Sequence, residues 1–179
     1  MKQIKLFGLG GQGVVTAAKI FAEAAAIGEG KYAQSIPAYG HERRGAPVYS
    51  DLIVSDEPIK VKSFVYEPDY VVIFDLAVLE KGVDVMVGTN PNTIFIINQE
   101  CVLPDYPFAK HEVHYVGARQ IAIDTLGRDI PNSAMLGAMA GAGMVEIDSV
   151  MNALRKFFGK AGEVNASAAK KAYDTLQKL

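Results

Sequence analysis

The sequence predicts an α/β fold of three α/β/α layers, built on a mainly parallel or mixed sheet with a Rossmann-like start and a helical C-terminus. Three observations predict it. Residues 70–75 (YVVIFD) and 92–98 (NTIFIIN) are short, nearly unbroken apolar runs, which suit strands covered on both faces. Strand-like and helix-like stretches alternate through the chain, as in a parallel sheet joined by crossovers. A glycine-rich turn, residues 8–13 (GLGGQG), joins the first apolar run to the first helical one.

In order, residues 2–7 (KQIKLF) form the first strand. Residues 12–27 turn helical, with Val15, Ala18, Ile20, Ala22 and Ala25 marking the apolar side and alanine favouring the helix throughout. Residues 28–30 (GEG) stop it, and 31–36 (KYAQSI) make a second short strand. A polar loop marked by glycines, 37–47, leads to a half-exposed strand carrying Val48, Leu52 and Val54. Lys60 and Lys62 alternate with Val61, so 57–64 reads as a further edge strand; with its predecessor it makes an antiparallel excursion near 47–64. The run at 70–75, a short helix near 76–84, the run at 92–98 and a strand at 112–117 follow. Helices are predicted at 117–126, 132–144, 147–158 and 165–178; the last is amphipathic, with lysines facing solvent, and is expected to dock on the sheet.

The 179 residues suit one compact domain spanning 1–179. With 18 basic and 20 acidic residues the net charge is −2, which offers no electrostatic footprint for nucleic acid or a membrane surface. A single cysteine, Cys101, excludes an intrachain disulfide, fits a reducing cytoplasm, and excludes an iron–sulfur cluster held by this chain alone. The opening MKQIKLFGLG lacks the layout of a signal peptide. The longest weakly polar run, 134–145, falls short of the roughly 20 residues that a membrane span needs. A cytoplasmic protein is expected.

Gly8, Gly10 and Gly13 satisfy the G-x-G-x-x-G spacing of a dinucleotide-binding turn, and the helix start beyond them offers free N–H groups to an anion. The dinucleotide reading also demands an acid about 20 residues on, at the end of the second strand, to hold ribose hydroxyls. That region, GKYAQSIPAYG, has none; Glu29 precedes the strand. Three readings therefore stand for the turn: a nicotinamide or flavin nucleotide, a phosphate of some other ligand touching Gly8, Gly10, Gly11 and Gly13, or a tight connection packed against the sheet or a partner. The last is preferred.

The most distinctive stretch is 37–59 (PAYGHERRGAPVYSDLIVSDEPI). Glu42, Arg43 and Arg44 are bracketed by Gly40 and Gly45. A solvated charged loop is the plain reading; the glycine bracket argues for a defined geometry, and two guanidiniums on a rigid loop suit carboxylates or phosphates. Together with GLGGQGVVTAAKIFAEAA and PNSAMLGAMAGA, this loop resembles the gamma subunits of the 2-oxoacid:ferredoxin oxidoreductases, in order and over nearly the whole chain. Subunits acting on 2-oxoglutarate look more like ARGG after the tyrosine–glycine pair, and those of indolepyruvate enzymes more like QRGG. Arg44, Gly45, Ala46 and Pro47 are closer to the pyruvate and branched-chain type.

The resemblance implies a complex that oxidatively decarboxylates a 2-oxoacid such as pyruvate, joins the acyl group to coenzyme A and passes electrons to ferredoxin. It implies thiamine diphosphate, Mg2+ and iron–sulfur clusters held by alpha, beta and delta subunits, with this chain an inactive assembly element. Glu42, Arg43, Arg44 and Gly45 are then an interface or coenzyme A region, and no residue here is catalytic. A hetero-oligomer is implied, with a homodimer left open for the isolated chain. The alternative is a free-standing nucleotide-binding protein, resting on the glycine spacing alone.

Other candidates have plainer readings. His111 and His114 have a helical ligand spacing but run into a strand, where positions three apart face opposite ways. Cys101 has no basic neighbour to activate it. Asp75 and Asn98 end buried strands, where open α/β sheets bind ligands, though capping the next helix is preferred for Asp75. Pro131 with Asn132 or Ser133 starts a helix whose small face, Gly137, Ala138, Gly141 and Ala142, suits close packing inside the domain or against another subunit.

Overall fold

The computed structural model describes residues 1–38 and 43–179. Strand β1 (Lys2–Leu9) leads through the glycine turn into helix α1 (Val14–Glu23), which continues as a π-helical turn, Ala24–Gly28. Strands β2 (Tyr32–Pro37), β3 (Pro47–Ser55) and β4 (Tyr70–Ile73) precede a single-turn helix α2 (Ala77–Glu80). Then come β5 (Ile94–Asn98), β6 (Glu112–Val116), α3 (Ala118–Leu126), α4 (Asn132–Gly141), α5 (Ile147–Phe158), α6 (Gly162–Thr175) and β7 (Gln177–Lys178). The strands form one mixed sheet in the order β2-β3-β1-β4-β5-β6-β7. β1, β4, β5 and β6 run parallel; β3 is antiparallel to both β1 and β2, and β7 to β6.

Both faces of the sheet are covered, but unequally. On one face Ile4, Leu6, Leu52, Val72, Phe74 and Ile96 meet α1, α3, α4, α5 and α6 in a continuous buried cluster. On the other, Phe7, Val71, Ile73, Phe95 and Ile97 are covered by α2 and by turns bearing Val85 and Phe108. Phe108 stacks on Phe95 with ring centroids 4.8 Å apart. The apolar runs at 70–75 and 92–98 are thus strands buried from both sides, which is why they show no alternation.

Several elements depart from the sequence reading. Residues 57–64 form no strand. β3 is flanked by β1 and β2, and the K-V-K segment pairs with no strand of the sheet. The segment instead crosses the second face, where the Val65 N–H donates to Asp51 Oδ2 at 2.7 Å. Asp51, only 1% exposed, also pairs with Lys5 at 2.9 Å, so a buried carboxylate anchors the crossing. The helix expected at 76–84 is one turn, because Gly82 takes φ 77°. α4 ends at Gly141 rather than 144, with Gly143 at φ 79°. α6 packs on α4, α5 and α3 rather than on the sheet, and its last expected turn unwinds at Leu176 into β7.

Candidate functional site

The glycine turn packs against the arginine loop. The Gly10 N–H donates to the Ala46 carbonyl at 2.8 Å, and the Gly45 N–H donates to the Gly10 carbonyl at 3.1 Å. A β-turn closes the loop itself, the Ala46 N–H donating to the Arg43 carbonyl at 2.9 Å. A methyl group on Gly10 would collide with that same Arg43 carbonyl oxygen. Gly10 is glycine because another segment of this chain lies where its side chain would go.

Gly13 caps α1 at φ 76°, and a Cβ there would sit 2.6 Å from Asn132 Nδ2. The third motif, at the start of α4, therefore packs on the first. From Asn132 a polar chain runs inward: its Oδ1 accepts from the Ser133 N–H (2.8 Å), and the buried Ser133 hydroxyl donates to Asn165 Oδ1 of α6 (2.6 Å). Asn165 Nδ2 donates in turn to the Ala161 carbonyl (2.8 Å). Gln12 ties the turn to the sheet. Its Oε1 accepts from the Leu9 N–H (2.8 Å) and its Nε2 donates to Asp75 Oδ2 (2.7 Å), while Asp75 Oδ1 caps α2 through the Ala77 N–H (2.9 Å).

These elements bound a cleft of about 480 Å³ lined by Gly10, Gly11, Gly13, the first turn of α1, Arg43 and Arg44. The α1 ladder begins with the Ala17 N–H on the Gly13 carbonyl (2.8 Å), so the amides of Val14, Val15 and Thr16 precede it. Among the described residues no side chain caps them, and no acid stands in the first turn. A helix start and two arginines lining one cleft attract an anion, with Arg suited to bidentate contact with phosphate or carboxylate. Gly8 lies off the cleft: a Cβ there would meet Val14 Cγ2 at 2.6 Å and Phe74 Cβ at 3.0 Å, so its role is packing. Gly45, at φ 82°, shapes the loop. Gly40 and Glu42, singled out with the arginines, lie outside the described residues.

The topology counts against the dinucleotide reading. That reading places a second parallel strand, with a terminal acid, directly beside the first. Here β3 separates β1 from β2 and runs antiparallel, and its entry at Pro47 pairs with Leu9. The arginine loop occupies the place of the ribose-binding acid.

Other candidates resolve into structural roles. The crevice of about 230 Å³ beyond β4 and β5 holds Asp75, Asn98, Glu100 and Arg119. Asn98 donates to the Phe74 carbonyl (2.8 Å) and accepts from the Arg119 N–H (3.0 Å), joining β4 to the start of α3. His111 Nδ1 lies 3.2 Å from the Thr93 carbonyl, and His114 Nε2 lies 2.7 Å from Glu112 Oε1. Cys101 is exposed. Of the two readings of the small-residue helix, the internal one is realised: α4 is buried from Asn132 to Ala140, and Gly137 lies against the Ala169 backbone of α6. Sequence reasoning did not single out Gln12, nor the contact of Asn132 with Gly13. The signal for Gln12 lay in its place inside the glycine turn; the second contact needed the fold.

Residues 3–175 match the family of pyruvate ferredoxin/flavodoxin oxidoreductases. The chain belongs to that family. Pyruvate synthase subunit PorC of Methanothermobacter thermautotrophicus is 44% identical over 181 residues, covering 100% of this chain and 98% of its own. The common subunit gamma of the pyruvate/ketoisovalerate oxidoreductases of Pyrococcus abyssi is 46% identical over 183 residues, covering 99% and 98%. Among solved structures, pyruvate oxidoreductase subunit PORC of Thermotoga maritima superposes with a TM-score of 0.83 at 29% identity, covering 99% of this chain and 97% of that one. This member of the oxidoreductase family therefore aligns end to end with small subunits. Among its described residues no group of three or more His, Cys, Asp or Glu could hold a metal ion, and no helix is long and apolar enough to cross a membrane.

Proposed function

We propose that this chain is the gamma subunit of a 2-oxoacid:ferredoxin oxidoreductase acting on pyruvate or a related 2-oxoacid, and that its cleft meets the phosphates of coenzyme A. The observation that carries the second part is the cleft itself. Arg43, Arg44 and the uncapped start of α1 converge there, on a loop that Gly10 and Gly45 fasten to the turn. Those groups fit phosphoryl oxygens: the guanidiniums supply charge and the amides supply directed donors. The donor set does not suit thiamine diphosphate with Mg2+, which calls for carboxylate or carbonyl oxygens around a metal. Thiamine diphosphate, Mg2+ and the iron–sulfur clusters are therefore assigned to companion alpha, beta and delta subunits, with ferredoxin reached through the complex. This chain positions and neutralises the coenzyme A phosphates and moves no proton. Coenzyme A, when bound, supplies the thiol that accepts the acyl group.

The test is reconstitution with companion subunits. Arg44→Ala is expected to raise KM for coenzyme A about tenfold, the worth of one charge-assisted contact, with kcat for pyruvate oxidation little changed. Unchanged KM for coenzyme A in the Arg43→Ala/Arg44→Ala double variant would place coenzyme A elsewhere. Oxoacid turnover by the pure chain alone would overturn the subunit reading as well.

A further inference from the structure

β2 is an edge strand, and among the described residues no strand pairs with its outer rim. The Ala38 N–H donates to the Tyr49 carbonyl at 3.1 Å, which makes that pair hydrogen-bonded. By antiparallel alternation the main-chain groups of Tyr32, Gln34 and Ile36 then face β3, and those of Ala33 and Ser35 face outward. The next outward N–H, that of Lys31, is turned aside onto the Ala25 carbonyl at 3.1 Å. Tyr32–Pro37 (YAQSIP) carries no charge to repel another strand. Two buried side-chain atoms without a hydrogen-bond partner among the described residues, Gln34 Nε2 and Ser35 Oγ, both belong to this strand. Tyr32 is 47% exposed, and Ile27, on the π-helical turn packed against β2, is 70% exposed.

We propose that β2 pairs antiparallel with β2 of a second copy of this chain, about a two-fold axis, to form one continuous sheet. The register is determined by the open groups. Setting Ala33 opposite Ser35 of the second copy engages the N–H and C=O of both residues on both chains. Registers displaced toward Lys31 or Pro37 meet an N–H already committed or one that proline lacks, and leave a carbonyl unpaired. In the favoured register Gln34 stands opposite Gln34 of the second copy on the axis. On the same face Tyr32 falls opposite Ile36 of the second copy, covering an exposed ring with an aliphatic side chain. A self-complementary strand of this kind is what an isologous interface requires. The inference uses neither the cleft nor the oxidoreductase assembly, so it can fail while the proposed function stands.

The experiment uses the full chain. Sedimentation equilibrium over the micromolar range is expected to show a dimer. Ser35→Pro removes an outward N–H and spares the β2–β3 ladder; it is expected to weaken dimerisation about tenfold or more with the thermal midpoint retained. In a Cys101→Ser background, Gln34→Cys is expected to yield a disulfide-linked dimer on mild oxidation, since the two positions face each other in a non-hydrogen-bonded pair. Tyr32→Cys in the same background is expected to stay unlinked. The cross-linking pair decides the matter if Ser35→Pro does not fold. A monomer throughout, or a dimer whose Gln34→Cys variant does not cross-link, overturns the proposal. A monomer whose β2 amides gain exchange protection only with other subunits assigns the edge to a foreign strand instead.

Discussion

Gly10 has no space for a Cβ, because the Arg43 carbonyl oxygen lies there and the Ala46 carbonyl holds its N–H. Gly10→Ala is therefore expected to prise the arginine loop from the turn and to cost about 1–3 kcal/mol, as overpacking does, measured by denaturant unfolding. In the reconstituted enzyme it should also raise KM for coenzyme A, because Arg43 and Arg44 move with the loop. At this scale the sequence was half legible. Glycine spacing announced a tight turn, and the missing acid after β2 weakened the dinucleotide reading. What the glycines accommodate was not legible, because Gly10 and Arg43, or Gly13 and Asn132, meet only once the chain has folded back on itself. Motif spacing reports a backbone requirement; it does not say whether the close neighbour is a ligand or the same protein.

Helix α4 is buried on every side, so no apolar stripe distinguishes an inward face, and its small residues gave no direction. The structure supplies one: Gly137 lies against the Ala169 backbone, and Gly141 faces Leu176. Gly137→Ala is expected to lower stability by about 1–3 kcal/mol despite alanine's better helix propensity, because a Cβ there meets main chain that cannot step aside; thermal unfolding reads the sign. The π-helical turn offers a second test. Glu29, just beyond it, accepts from the Glu146 N–H (2.6 Å) at the entry to α5 and pairs with Lys31 at 2.9 Å. Burial pushes its carboxyl up, but the Lys31 ammonium and the Glu146 N–H outweigh this and hold it below the ordinary 4.5. The stabilisation is therefore present in full above pH 4.5 and is lost as pH falls through the lower folded value. Glu29→Gln is expected to cost about 1 kcal/mol at neutral pH and to flatten the acid limb of a stability–pH curve. Residues 57–64 show why strand alternation misled: an alternating pattern states which side chains could face a core, but not where the segment is anchored, and here the Val65 N–H is held by Asp51 where the segment crosses a face of the sheet.

Across the whole molecule, stability and the proposed chemistry occupy different ends of the sheet. The parallel core β1-β4-β5-β6 was readable because burial on both faces leaves unbroken apolar runs. The antiparallel insertion of β3 between β1 and β2 was readable only as an excursion of unknown position, since pairing order is a property of the assembled sheet. That insertion brings the arginine loop to the C-terminal end of β1, whereas the thin second layer, Phe108 on Phe95, sits over β5. Neither Phe95 nor Phe108 lines the cleft, so their effects should separate. Phe108→Ala is expected to cost about 3–5 kcal/mol and lower the thermal midpoint, as emptying a fully buried aromatic site does. Below that midpoint, the reconstituted enzyme should keep an unchanged KM for coenzyme A. Arg44→Ala should do the reverse, leaving the midpoint unchanged and raising KM. Measuring both quantities on both variants gives four readings, of which two should move. A Phe108→Ala enzyme with altered coenzyme A dependence would show that the covering layer over β5 reaches the cleft, and that a single rigid sheet does not insulate one end from the other.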